Sequence, residues 1–282
     1  MLSLYQVYNI GKKLLLENNQ LNEKSNDFFD VFQGVFGFDR HGIILNKDKI
    51  ISESLLGDFI QKLKRMIEGE PIQYILGYGE FFNLKLKVGP GVFIPRDDTH
   101  VLVNLILKNL RSDFNVIDLC AGSGAIGLAI KKNINVKVTL VEKHRKAFNY
   151  LVENIKKNNL NVMAINDDIF SFCKKVERSY DAVISNPPYL SKIEVQKLPK
   201  EVKYEPITAF LAKKNGYFFF ENIIKKWKYK IKTNGFIAFE IGINQLDKVS
   251  KLLIRHGFKN IKIENDINNI PRAVLAFLDQ NH

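Results

Sequence analysis

The chain is poor in cysteine, and its cysteines are placed where neither a disulfide framework nor a zinc site is expected. Two of its 282 residues are cysteines, Cys120 and Cys173, and neither belongs to a C-x-x-C motif or a cluster of metal-ligand residues. The five histidines form no H-x-x-x-H pair. The composition therefore argues against a disulfide-stapled domain and indicates no metal site.

Long apolar runs are also missing. No uninterrupted apolar stretch reaches the ~18 residues that a membrane helix needs, and residues 1–19 alternate apolar and polar positions at helical spacing, unlike a signal peptide. The hydrophobic fraction of 46% supports a packed core, and the length allows one large domain plus a small one. We therefore expect a soluble cytoplasmic protein without membrane association.

Negative charge is in deficit. The chain has 42 Lys and Arg residues against 30 Asp and Glu residues, a formal net charge of +12. Such a balance favours acidic or nucleic-acid partners through long-range electrostatic attraction. The lysines are spread along the whole chain rather than gathered in one tract, so we expect no specific nucleic-acid partner.

The apolar pattern changes twice along the chain and predicts three regions. Residues 1–72 repeat apolar positions at helical spacing, starting after a possible capping box of Ser3 and Gln6, and we expect a small helical domain that binds a partner. Residues 73–95 alternate apolar and polar positions between glycines, which predicts a linking β-hairpin. Residues 96–282 alternate strand and helix patterns and form the predicted catalytic domain.

A glycine-rich loop follows the first apolar strand of this third region. The strand ends in Asp118 and Leu119, and the loop Gly122, Ser123, Gly124 leads into an apolar helix. Glycines permit backbone angles closed to other residues and let a ligand approach closely, while a helix start offers unpaired N–H groups. The pattern is typical of a nucleotide-type loop, although a turn that only packs the helix on the sheet remains open.

Acidic residues end the next two predicted strands. Glu142 follows an alternating strand about 20 residues after the glycines, where Rossmann-like folds place an acceptor for ribose hydroxyls. Asp167 and Asp168 end the following strand, so a carboxylate could meet an adenine amine while Ile169 covers the ring. Because ligands of open α/β sheets bind at the carboxyl ends of strands, these positions predict one site.

The fourth strand ends in the tetrapeptide NPPY, which is Asn186, Pro187, Pro188 and Tyr189. A planar amino nitrogen is a poor nucleophile unless both of its hydrogens are held, and an Asn oxygen plus a backbone carbonyl can hold them. Pro187 stiffens the turn so that its carbonyl can face the second hydrogen, and Tyr189 can stack on the planar group. Asn-Pro-Pro after a strand is also a common turn, so the motif alone leaves turn and site open.

With these residues in view, the chain resembles the PrmC/HemK family of release-factor glutamine methyltransferases over nearly its full length. NPPY alone is shared with adenine methyltransferases, whereas the ordered set of segments is more selective. The segments are EGEPIQYILGYGEFF (68–82), FIPRDDTH (93–100), VIDLCAGSGAIGLAI (116–130), VISNPPYL (183–190), VKYEPITAFLA (202–212) and GFIAFEIGINQ (235–245).

This resemblance implies a seven-stranded class I (Rossmann-like) methyltransferase sheet behind a helical amino-terminal domain, with S-adenosylmethionine as cofactor. It implies methylation of the Gln side-chain amide nitrogen in the Gly-Gly-Gln motif of class-I peptide chain release factors. The implied catalytic residues are Asn186, Pro187 and Tyr189, and Pro188 joins them in binding substrate. The implied cofactor residues are Asp118, Cys120, Ala121, Gly122, Ser123, Gly124, Glu142, Asp168, Ile169 and Asn186.

Three other functions remain open at this point. A glutamine methyltransferase of a ribosomal protein would share the motifs. An adenine amino-methyltransferase would need a base-flipping pocket and clustered base-contacting residues, which the helical region does not indicate. A non-catalytic binding module with a vestigial cofactor site would bind without turnover. For the release-factor methyltransferase implied by the resemblance we expect a monomer.

Overall fold

The computed structural model describes residues 2–18, 20, 23–177 and 179–279, and they form two compact units. The helical unit runs through Tyr78 and includes Pro199–Tyr204, whereas the sheet unit comprises Gly79–Leu198 and the chain from Glu205 onward. The prediction that all of 96–282 lies in one domain is therefore wrong for Pro199–Tyr204. The Tyr204 hydroxyl donates to the Glu68 carbonyl oxygen at 3.3 Å, a contact between positions far apart in sequence.

The described residues of the helical unit form mainly α-helices, and the first of these begins as the sequence predicts. Ser3 accepts a hydrogen bond from the Gln6 N–H while the Gln6 side chain accepts from the Ser3 N–H, so the capping box is confirmed. The core is aromatic, with the rings of Phe28 and Phe32 each edge-on to Phe59. The helices are α1 (Leu4–Glu17), α2 (Ser25–Phe36), α3 (Arg40–Leu45), α4 (Glu53–Ile67) and α5 (Ile72–Leu76).

The predicted hairpin is shorter than the span 73–95. Its strands are β1 (Tyr78–Phe81) and β2 (Leu84–Lys87), and the predicted start is wrong because α5 occupies the preceding residues. Tyr74 and Ile75 are buried on that helical turn. Gly77 ends it in the left-handed conformation, with φ 80°.

The sheet unit has the predicted seven-stranded sheet, in the order β5-β4-β3-β6-β7-β9-β8. β3 to β7 run parallel, whereas β9 is antiparallel to both of its neighbours. The strands are β3 (Asn115–Leu119), β4 (Lys137–Val141), β5 (Met163–Ile165), β6 (Tyr180–Ser185), β7 (Ile231–Glu240), β8 (Phe258–Asn265) and β9 (Pro271–Leu278).

Helices cover both faces of this sheet. The helices are α6 (Asp98–Leu107), α7 (Ala125–Asn133), α8 (Arg145–Lys157), α9 (Ile169–Cys173), α10 (Lys192–Gln196), α11 (Phe218–Trp227) and α12 (Leu246–Arg255). Short 3₁₀ turns occur at Glu201–Tyr204, Ile207–Ala209 and Lys228–Lys230.

Each face of the sheet carries its own apolar core because the side chains of a strand alternate between faces. On β3, Val116 joins the core under α6 and α7, and Ile117 joins the core under α11 and α12. Central parallel strands covered on both faces read as nearly continuous apolar runs, as β3 and β6 do here. Across the described residues, no helix is both long enough and apolar enough to cross a membrane.

Candidate active site

The glycine loop lies between the end of β3 and the start of α7. Cys120, Gly122 and Gly124 all have positive φ values, of 63°, 57° and 87°. Such values favour glycine, which occupies two of the three positions. A Cβ on Gly124 would stand 2.5 Å from a Leu151 methyl carbon. At Gly122, by contrast, no described atom outside the glycine and its two chain neighbours lies within 4 Å of a Cβ position. One side of the loop is therefore bare backbone that a ligand can approach.

Asp118 supports this loop from the buried side. The residue is fully buried, and Oδ2 accepts a hydrogen bond from the Gly127 N–H at 3.0 Å. Oδ1 has no hydrogen-bond partner among the described residues. Burial raises the pKa of Asp118 to about 8, against the opposing effect of the Gly127 N–H. Its contact with cofactor stays a prediction.

Glu142, directly after β4, holds the loop from the other side. Oε2 accepts from the Gly122 N–H at 2.9 Å and Oε1 accepts from the His144 N–H at 2.6 Å. Each carboxylate oxygen retains acceptor capacity beyond these bonds, because an ionised carboxylate offers about four lone-pair sites. A ribose hydroxyl can therefore still be accepted at this position.

Asp168 and Ile169 lie past the end of β5 and point in different directions. The Asp168 side chain caps α9 through the N–H groups of Phe170 and Ser171, and Oδ2 lies 3.2 Å from Lys143 Nζ. Burial alone would raise the pKa of Asp168, but these hydrogen bonds outweigh it and lower that pKa. Ile169 is only 3% exposed and lies in the core. The Ile169 side chain therefore has little free surface with which to cover an adenine ring, and that role stays a prediction.

The NPPY turn begins where β6 ends. Asn186 is partly exposed, and Pro187 and Pro188 are buried. The Tyr189 hydroxyl donates to Glu240 Oε1 at 3.1 Å. Burial, and then the charge of Glu240, raise the pKa of Tyr189, so the phenol stays neutral.

Glu240 is a buried carboxyl group behind this turn. It ends β7, is 2% exposed, and burial raises its pKa to about 7. The hydroxyls of Thr99 and Tyr189 and the amide of Asn186 oppose this rise in pKa. Oε2 nevertheless makes no hydrogen bond of ordinary geometry to any described residue.

Glu205 is another buried carboxyl group of the sheet unit. Glu205 Oε2 accepts from the Ile94 N–H at 2.8 Å, and Oε1 pairs with the Arg96 guanidinium. Arg96 also lies over the Phe93 ring, 5.3 Å from its centroid. The pair joins two of the segments that carried the family resemblance, 93–100 and 202–212.

The structure brings the predicted site residues to one edge of the sheet. The glycine loop, Glu142, Asp168 and NPPY follow the carboxyl ends of β3, β4, β5 and β6, which are neighbouring parallel strands. Sequence reasoning missed Glu240, which ends the next strand, β7. An acidic residue at the end of the apolar run FIAFE was the available signal.

Two family models match this chain in adjoining regions. A model described as PrmC N-terminal domain matches residues 7–77. A model described as Methyltransferase small domain matches residues 83–202, which contain the glycine loop, Glu142 and NPPY.

Curated relatives match across both regions. A release factor glutamine methyltransferase of Clostridium botulinum is 35% identical over 244 residues, covering 84% of this chain and 86% of that protein. One of Thermodesulfovibrio yellowstonii is 36% identical, covering 76% and 78%. One of Haemophilus influenzae is 28% identical, covering 96% of both chains.

Solved structures share the fold at low identity. A methyltransferase from Pyrococcus furiosus has a TM-score of 0.55 and 19% identity, with 78% of this chain and 98% of that chain covered. The tRNA m1G37 methyltransferase of Methanocaldococcus jannaschii has a TM-score of 0.50 and 17% identity, covering 72% and 57%. These likenesses confirm the class I methyltransferase fold.

Proposed function

The chain belongs to the family of release factor glutamine methyltransferases, and we propose that it methylates the Gln side-chain amide nitrogen in the Gly-Gly-Gln motif of class-I release factors. The observation that carries the proposal is the NPPY turn beside the glycine loop, on the adjacent parallel strands β6 and β3. This arrangement supports the proposal that NPPY holds a planar amide next to a nucleotide-type loop. Because release factors act on ribosomes, the protein would work in the cytoplasm.

The cofactor of the proposed reaction is S-adenosylmethionine, and the residues present fit it. When bound, it supplies a methyl group on a sulfonium, which is already a good leaving group. The bare backbone at Gly122 admits a ligand, and Glu142 retains acceptor capacity for ribose hydroxyls. Asp168 is a partly exposed carboxylate with a lowered pKa, so it remains an acceptor for an amine.

Asn186 and Pro187 hold the substrate amide in this proposal. The amide nitrogen has two N–H groups, of which one donates to Asn186 Oδ1 and the other to the Pro187 carbonyl oxygen. These two acceptors fix the nitrogen in line with the methyl group, and positioning of this kind supplies much of a catalytic rate gain. They also stabilise positive charge that develops on nitrogen during transfer.

Tyr189 forms the wall against which the amide plane packs. Its hydroxyl is held by Glu240 and its pKa is raised, so the ring stays neutral and fixed. A strong general base is not needed before transfer, since the methylated amide nitrogen loses its proton readily. The rate gain therefore comes from geometry and electrostatics, and the amide keeps both of its protons until the methyl group has moved.

The proposal is tested by offering the protein several methyl acceptors with isotopically labelled S-adenosylmethionine. The acceptors are a class-I release factor, its Gly-Gly-Ala variant, a ribosomal protein fraction and structured RNA. Label in the intact release factor alone supports the proposal. Label in RNA alone would favour an adenine methyltransferase, and label in ribosomal protein alone would favour a different glutamine substrate; either result contradicts the proposal.

A further inference from the structure

The segment 240–245, which reads EIGINQ, contacts Tyr189 through three of its residues. Glu240 accepts from the Tyr189 hydroxyl at 3.1 Å, and Gln245 Nε2 donates to the Tyr189 carbonyl oxygen at 2.9 Å. Gln245 Oε1 accepts from the Gly242 N–H at 2.9 Å, which fixes the direction of the Gln245 amide. A Cβ on Gly242 would stand 3.0 Å from the Tyr189 ring. The segment therefore fixes both the side-chain hydroxyl and the backbone carbonyl group of Tyr189.

The same segment also reaches Asn186. Ser185, the last residue of β6, is in register with Phe239 of the parallel strand β7, so Asn186 directly after β6 comes level with Glu240, the last residue of β7. The Asn186 side-chain amide helps to stabilise the ionised Glu240 carboxylate. Only the N–H side of an amide can donate to a carboxylate, so a carboxylate at Glu240 favours the arrangement in which Asn186 Nδ2 faces it and Oδ1 is left for another partner.

This orientation decides whether Asn186 can work as an acceptor. An Asn side chain has a similar shape when its oxygen and nitrogen exchange places, so its surroundings must choose between the two arrangements. A carboxylate beside Nδ2 favours the arrangement that presents Oδ1 to an N–H donor. A protonated carboxyl group can itself donate, and it would also accommodate the reverse arrangement.

We infer that Glu240 is a positioning residue whose carboxylate orients Asn186 and Tyr189 so that Asn186 Oδ1 faces the substrate amide. The inference rests on the proposed function. It assigns a role to a buried carboxyl group that makes no contact with substrate or cofactor in the proposed mechanism.

The charge on Glu240 depends on pH in the range where the enzyme would be assayed. Burial, the largest cause, and Asp98 raise the Glu240 pKa, whereas Thr99, Tyr189 and Asn186 lower it, and the net pKa is about 7. Arg272 of β9 is ion-paired with Asp98 at 3.2 Å, and its charge acts on Tyr189, the hydrogen-bond partner of Glu240. The carboxylate form therefore predominates above about pH 7 and is lost as the pH falls below it.

The first test compares Glu240→Gln with wild type and with Glu264→Gln, a matched change on β8 of the same sheet. Gln keeps the side-chain volume but brings N–H groups that compete with Asn186. We expect kcat to fall by roughly tenfold or more in Glu240→Gln, with the Kd for S-adenosylmethionine changed by less than about threefold. The acid limb of the wild-type kcat profile, with its midpoint near pH 7, should disappear, whereas Glu264→Gln should retain the wild-type profile.

A second measurement does not depend on activity. The ¹⁵N resonance of the Asn186 side-chain amide, assigned by its loss in Asn186→Ala, should shift with pH around a midpoint near 7 in wild type. It should not shift in Glu240→Gln. If this titration occurs but no release factor is methylated, the proposed function fails while the orientation of Asn186 by Glu240 stands.

Three results would overturn the inference. The Asn186 resonance could be independent of pH in wild type. Glu240→Gln could retain kcat within about twofold together with the acid limb. Glu240→Gln could also lose kcat, cofactor binding and the fluorescence signature of buried Trp227 together, which would indicate a structural role only.

Discussion

Asn186 is the residue on which the proposed chemistry depends. Replacing it with Ala removes one of the two acceptors for the substrate amide while leaving the glycine loop and Glu142 in place. We expect Asn186→Ala to lose methyl transfer by on the order of 10²-fold, as when one preorganised polar group is removed from an active site. Binding of S-adenosylmethionine, measured by calorimetry, should change far less.

A matched control for this variant is Asn222→Ala on α11. Asn222 donates to the Phe218 carbonyl oxygen within its own helix at 2.8 Å and makes no contribution to the proposed site. It should retain wild-type turnover. Near-normal turnover in Asn186→Ala would remove Asn186 from the mechanism.

Asp118 makes the stability of the sheet unit depend on pH. Its pKa is about 8 in the folded protein against an ordinary value of 3.8, because burial disfavours the charged form. The folded state thus binds a proton more tightly than the unfolded state, and the free energy of unfolding falls as pH rises from 3.8 towards about 8. Asp118→Asn, which is neutral throughout, should lose this part of the dependence.

Urea unfolding followed by Trp227 fluorescence measures this effect, because the single tryptophan is fully buried in the sheet unit. Between pH 5 and pH 8 the wild type should lose on the order of 4 kcal/mol more than Asp118→Asn. Glu240 contributes equally to both proteins, so it cancels in the difference. Equal losses in the two proteins would show that Asp118 does not titrate as described.

Some site residues could be predicted from the sequence and others could not. Gly122, Glu142 and Asn186 stand out because each follows an apolar strand and belongs to a recognisable pattern. Glu240 also ends an apolar run, but its partners depend on the register between β6 and β7. No local pattern in either strand specifies that register.

At the scale of elements, α7 must approach the sheet closely enough to present the glycine loop. Gly127 permits this approach, because a Cβ there would stand 2.1 Å from a Leu140 methyl carbon and 3.2 Å from Asp118 Oδ2. Leu140 is fully buried and has little room to move. We expect Gly127→Ala to lower the free energy of unfolding of the sheet unit by roughly 1–3 kcal/mol.

The control for this variant is Gly57→Ala in α4. At Gly57 no described atom lies within 4 Å of a Cβ position, apart from the glycine, its chain neighbours and the adjoining backbone of α4, so the substitution adds no clash. Ala is the better helix former, and this variant should gain roughly 0.5–1 kcal/mol for the helical unit. If both variants change stability by the same amount and sign in thermal unfolding, helix propensity rather than close packing governs Gly127.

Element prediction succeeded where the signal was local. The capping box of Ser3 and Gln6 was predicted from the sequence because its residues lie three positions apart, and the structure contains it. β8 was not predicted, because Phe258–Asn265 is an edge strand with mostly exposed polar residues rather than an apolar run. Polar residues on an edge strand hinder pairing with other chains, and they also weaken the sequence pattern of a strand.

At the scale of the whole molecule, sheet order brings together residues that lie far apart along the chain. The order β5-β4-β3-β6-β7 gathers segments between Cys120 and Glu240 at one edge. Composition, strand pattern and family resemblance predicted this sheet. They did not predict that Pro199–Tyr204, shortly after NPPY, belongs to the helical unit. That placement includes a Lys24–Glu201 pair at 3.8 Å, which no local pattern encodes.

The most direct test of the central claim is to locate the transferred methyl group. A class-I release factor is incubated with the protein and S-adenosylmethionine, and the peptide spanning Gly-Gly-Gln is fragmented by tandem mass spectrometry. The account predicts a single methyl group on the side-chain amide nitrogen of that Gln, present with wild type and strongly reduced with Asn186→Ala. A methyl group on another residue, or equal methylation by both proteins, would contradict it.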